Sequence, residues 1–119
     1  MRQFLVLAFL AVLTLTAPQA FAHAFPAHSQ PAVGSTVTQL PKEVSIWFTE
    51  KLEPAFSHVE VVNAGGAQVD NGDAQVDAHD PTLLHVSLKP LLAGIYKVEW
   101  HVVSVDTHPT QGDFIFTVR

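Results

Sequence analysis

Asp106 and His108 stand two residues apart, and Pro109 follows His108. Proline disfavours the helical region for the residue before it, so an extended His108 is expected, with Asp106 facing the same side two positions back. A carboxylate and an imidazole so placed make half a site for a cation that takes nitrogen and oxygen ligands. Taken alone, an Asp-x-His before proline is mostly turn chemistry. Ser104, Asp106 and His108 could also suggest a nucleophile with its base, but they share one short segment and lack a strand-turn-helix elbow. Glu50 closes a predicted strand, where its carboxylate could reach a site; by itself it reads as a solvated loop charge.

What strengthens the metal reading is the other end of the chain. Arg2, the apolar run from Phe4 to Ala17 and the small-x-small sequence Ala20-Phe21-Ala22 form a secretory leader too short to span a bilayer. Cleavage after Ala22 leaves His23 first, in a domain spanning 23–119. A terminal histidine offers its α-amine and ring Nδ1 to one ion, closing a chelate ring, and the amine's ordinary pKa of about 8 makes its proton easy to displace. Cleavage at the alternative Ala22-His23-Ala24 would remove that donor.

The donor inventory narrows the ion. The chain has no cysteine, its one methionine is Met1, and all seven histidines follow residue 22. Thiolate zinc, blue-copper and methionine-rich Cu(I) sites are therefore excluded, leaving imidazole, carboxylate and amine, the ligands of Cu(II), Ni(II) or Zn(II). Net charge is −5 for the whole chain and one unit more negative without Arg2. Such a domain has no electrostatic footprint for nucleic acid or anionic lipid. Without disulfides it must be held by its core alone.

The elements that would position these residues are strands. Val44/Ile46/Phe48, Val59/Val61, Leu84/Val86/Leu88, Tyr96/Val98/Trp100/Val102 and Phe114/Phe116/Val118 alternate with polar residues at period two. His58, His85 and His101 fall on polar faces. Asn63-Ala64-Gly65-Gly66 marks a turn, Ala67–Asp70 a short strand, and Asn71-Gly72 a tight hairpin. Asp70, Asp73, Asp77 and Asp80 miss calcium-loop spacing and read as turn and edge chemistry. Nowhere does a capped helical period run for ten residues. Six or seven strands without helices predict an all-β, single antiparallel Greek-key barrel or sandwich, immunoglobulin-like, with Trp47, Trp100, Phe48, Phe56, Phe114 and Phe116 filling its core.

Several blocks then resemble the CopC family of exported copper-binding proteins: the histidine after the leader, Ser29 to Ser35, Phe48-Thr49-Glu50, Gly94 to Trp100, Val102 to Pro109 and Gly112 to Phe116. The resemblance spans essentially all of 23–119. It implies a Greek-key barrel holding one Cu(II), with His23 giving amine and ring, Asp106 and His108 completing a tetragonal set, and Glu50 a further ligand or a hydrogen-bonding neighbour of one. Better-known members carry a methionine-rich loop with a Cu(I)-binding histidine. Here the Asn63–Asp77 region has no methionine, which disfavours a Cu(I) site.

The expected role is a monomeric periplasmic Cu(II) carrier or buffer, not an enzyme, delivering copper to a CopD-type inner-membrane transporter, with no membrane insertion of the processed chain. Two alternatives differ in class. A histidine-brace copper monooxygenase would also use a terminal histidine, but the chain is short, Asp106 would block the oxygen position and no flat aromatic substrate surface is evident. A metal-free interaction sandwich would leave Asp106 and His108 purely structural.

Overall fold

The computed structural model describes residues 23–119; the expected leader at 1–22 lies outside the described residues. Eight strands form in order: β1 Pro26–Gln30, β2 Thr36–Val37, β3 Glu43–Phe48, β4 His58–Asn63, β5 Gln75–Val76, β6 Leu83–Ser87, β7 Gly94–Val103 and β8 Pro109–Val118. Among the described residues the sole helical element is one 3-10 turn, Pro54–Phe56. Two four-stranded sheets result, ordered β1-β3-β6-β5 and β2-β8-β7-β4. They face each other as a sandwich and do not close into a barrel. All pairings are antiparallel except β2 with β8, which is parallel.

Period-two alternation produces this arrangement directly. Val44, Ile46 and Phe48 from β3 meet Val59 and Val61 from β4, Leu84 and Val86 from β6, and Tyr96, Val98, Trp100 and Val102 from β7 in one core. Phe116 stacks on Tyr96 with ring centroids 5.4 Å apart, and Phe48 meets Trp100 edge-on at 5.3 Å. Gly112 lies opposite Trp100, and a Cβ there would fall 2.6 Å from the indole Cζ2. Only glycine lets the indole lie that close to the β8 backbone.

Several expectations need correction. Trp47 and Phe56 are not core residues: Trp47 is partly exposed and stacks on His28 across β1 and β3, while Phe56 is 66% exposed on the 3-10 turn. Ala67–Asp70 is no strand, and Asn71-Gly72 joins no hairpin. Gln68 bridges to Val62, Asp70 bridges to Leu88, and β5 then resumes pairing along the same β6 edge.

Asp70 explains that irregularity and is not an edge charge. It is 2% exposed, and its carboxylate accepts bonds from the Val61 and Gly72 N–H groups and from Gln68 Nε2, each at 2.8 Å. Val61 belongs to one sheet and Leu88, bridged to Asp70, continues the other. One side chain thus ties both layers together.

Candidate metal centre

The β7–β8 hairpin ends in a three-residue loop, and its sequence decides the loop's shape. Ser104 N–H donates to the His108 carbonyl at 3.1 Å and Thr107 N–H to the Ser104 carbonyl at 2.8 Å, closing a turn around Val105 and Asp106. Thr107 then adopts φ +72°. This is the left-handed position that ends three-residue hairpin loops and is usually glycine. For a branched side chain it costs about 1–2 kcal/mol, and such backbone strain concentrates at functional sites.

Asp106 and His108 do come together, with Asp106 Oδ2 3.7 Å from His108 Nδ1. The route is not the expected extended alternation; the left-handed Thr107 turns the two side chains toward each other. Ser104, fully buried, anchors the loop: its hydroxyl donates to Asp106 Oδ1 and accepts from the His108 N–H at 3.3 Å. That hydroxyl is the main reason the Asp106 carboxyl is held below its ordinary range; partial burial opposes it, and the facing His108 helps. Asp106 is accordingly an anion at neutral pH and a ready oxygen donor.

His23 arrives from the far end of the chain. Its ring centroid is 5.0 Å from that of His108 and 6.1 Å from that of Phe25. Two threonines strap this segment down. Thr49, just past β3, donates to the His23 carbonyl at 3.4 Å and accepts from Phe25 N–H at 3.1 Å, while its own N–H reaches the Phe25 carbonyl at 2.8 Å. Thr110 on β8 donates to the Ala24 carbonyl at 2.7 Å. Ala24 itself is completely buried. Thr49, Ala24 and Thr110 were not singled out in the sequence, because nothing in their local pattern marks a hydroxyl as bridging residues far apart in the chain.

Glu50 follows Thr49 and is partly buried. The stretch after it pairs with the hairpin loop, through the Leu52–Ser104 bridge and a 3.0 Å bond from Val105 N–H to the Lys51 carbonyl. Its backbone therefore borders the corner, but its side chain makes no hydrogen bond or ion pair with any described residue.

The donors fit an ion in span. A metal about 2.0–2.1 Å from an imidazole nitrogen sits roughly 3 Å from the ring centroid, so two rings sharing one ion have centroids about 4–6 Å apart. The His23–His108 separation lies in that window. The proximity is pairwise: among the described residues no three His, Asp or Glu side chains are gathered into a ready cage. In the full chain the nitrogen of residue 23 is an amide and counts as no donor.

A small β-sandwich whose one hairpin corner brings His108 near His23 on one side and near Asp106 on the other defines the class as an all-β domain with nitrogen and oxygen donors at that corner. The CopC domain family model matches residues 27–119, and the chain belongs to the CopC family. It is 37% identical over 116 residues to Protein YobA of Escherichia coli strain K12, covering 92% of this chain and 91% of that one. To copper resistance protein C of Xanthomonas campestris pv. juglandis it is 33% identical over 112 residues, covering 89% and 87%. The crystal structure of CopC from Methylosinus trichosporium OB3b superposes with a TM-score of 0.75 at 32% identity, covering 81% of this chain and 93% of that one.

Proposed function

We propose that this protein is a periplasmic Cu(II) carrier that takes one ion at the corner formed by His23, Asp106 and His108 and passes it on without chemistry. The cargo is bound by amine and imidazole nitrogens with the Asp106 carboxylate. Sulfur is absent from 23–119, so reduction to Cu(I) is disfavoured. The observation that carries this reading is the meeting of His23 with His108, 85 positions apart, across a 5.0 Å gap. Support also comes from kinship with proteins named for copper resistance. The His108 and Asp106 side chains are 50% and 44% exposed, which suits an ion that must leave by ligand exchange. A CopD-type inner-membrane transporter is the recipient this reading names. Glu50, whose neighbouring backbone borders the corner, enters this reading as a further ligand or a hydrogen-bonding neighbour of one.

Electron paramagnetic resonance of the leader-free protein with one equivalent of Cu(II) tests the assignment. An axial spectrum with nitrogen hyperfine structure is expected, and Asp106→Ala and His108→Ala should each change it. A spectrum without nitrogen coupling, or one indifferent to both substitutions, refutes the site. A second expectation concerns the strap. Thr110→Val keeps the side-chain shape but releases the Ala24 carbonyl, leaving Thr49 as the remaining hold on His23. Loss of an outer hydrogen-bonding partner typically costs 10–100-fold in metal affinity, so Cu(II) affinity should fall by at least about tenfold while thermal stability without copper changes little. Competition against a chromophoric chelator measures this.

A further inference from the structure

The outward face of the β4–β7–β8 sheet carries a second set of donors that the hairpin corner does not use. In the antiparallel register His58 of β4 stands directly opposite His101 of β7. Both point away from the core, since their neighbours Val59, Trp100 and Val102 are the buried ones. Their ring centroids are 5.4 Å apart with planes inclined at 39°. That separation falls within the roughly 4–6 Å expected for two imidazoles on one ion. Neither ring forms a hydrogen bond or ion pair with another described residue, so their nitrogens are not committed elsewhere.

The other outward histidines differ. His28 is stacked on Trp47 at 4.4 Å, and His85 Nε2 lies 3.5 Å from Asp77 Oδ1. The row beside the His58–His101 pair sharpens the contrast. Glu60, Glu99 and Asp113 stand abreast across β4, β7 and β8, with Lys97 reaching Glu99 at 3.3 Å as the sole ion-paired cation there among the described residues. Like charges directly opposite on a sheet are destabilising, and a bound cation one row away offsets that repulsion.

We propose that His58 and His101 form a second, weaker binding site for a divalent transition ion, with Cu(II) the strongest-binding occupant. Two imidazoles supply adjacent equatorial positions on a rigid sheet, and water fills the rest. The Irving–Williams order puts Cu(II) ahead of Ni(II) and Zn(II) at such a nitrogen pair. Having only two protein donors, the site binds less tightly than the corner, and it fills only after the corner is occupied. The site does not depend on the processed terminus or on Asp106.

The test is a Cu(II) titration of the leader-free protein followed by calorimetry and by NMR. Two equivalents are expected, one tight and one weak, with the ring resonances of His58 and His101 broadening during the second. His58→Gln and His101→Gln should each abolish the weak equivalent and keep the tight one, whereas His28→Gln should keep both. Asp106→Ala should impair the tight equivalent and leave the weak one, so failure of the corner reading is distinguishable from failure of this one. A weak equivalent that survives both Gln substitutions, one lost in His28→Gln, or no broadening of the two rings in the unaltered protein would overturn the proposal.

Discussion

Adding a single residue ahead of His23 in the exported protein is expected to lower its Cu(II) affinity by on the order of a hundredfold or more, with stability unchanged in the absence of copper. The argument is covalent. In the proposed site the extra residue would turn the α-amine into an amide, ending amine donation and opening the chelate ring that amine and Nδ1 would close together. The strap from Thr49 and Thr110 is retained, because it acts on the carbonyls of His23 and Ala24. Losing an outer partner of a metal ligand already costs up to about 100-fold, so losing a ligand and its ring should cost at least as much, or about 2.7 kcal/mol. Chelator competition on the two proteins gives the ratio. Equal affinities would remove the amine from the site and leave a site built from side chains alone.

Asp70→Ala should be strongly destabilising although it removes no apolar side chain from the core. The buried carboxylate accepts three bonds, and among its donors Val61 N–H sits in the core, where no water can replace the acceptor. Leaving a buried donor unmade costs about 1–3 kcal/mol, and bonds to a charged acceptor are worth roughly 1.5–3 kcal/mol each, so a loss of about 3 kcal/mol is expected. For a domain of this size that lowers the melting temperature by roughly 12–24 °C. Asp70→Asn should recover only part of it, because its amide turns a donor toward one of the N–H groups. Thermal unfolding followed by circular dichroism measures both. A change below about 1 kcal/mol would mean that this tie between the layers is not a main support of the fold.

The strand pattern was legible because each buried strand alternates strictly and no helical period competes with it. What escaped the sequence shares one cause: it depends on contacts between distant segments. Asp70 sits beside Asn-Gly and so reads locally as a turn residue; only the Val61 N–H from another strand makes it a buried tie. Trp47 and Phe56 are large and aromatic, yet Trp47 sits on the polar side of β3 and Phe56 on a 3-10 turn after Pro54, so hydrophobicity alone misassigned both. At the hairpin corner, residue types pointed to Asp106 and His108 lying close together but missed how they do so. Asp106 and His108 were expected to converge by extended spacing, but the left-handed Thr107 brings them together. The sequence pointed to the meeting of His23 with His108 only through the expected leader, whose removal would give the first residue a chemistry that no internal histidine has.

Strand β8 starts beside the proposed metal corner with Pro109 and runs through Val118. At about 3.4 Å per residue it carries the chain roughly 30 Å away from that corner. The proposed site and the end of β8 therefore lie at opposite poles of the sandwich. A resin, fluorophore or neighbouring domain joined beyond Arg119 would hold the molecule from behind, with its loading end still facing solution.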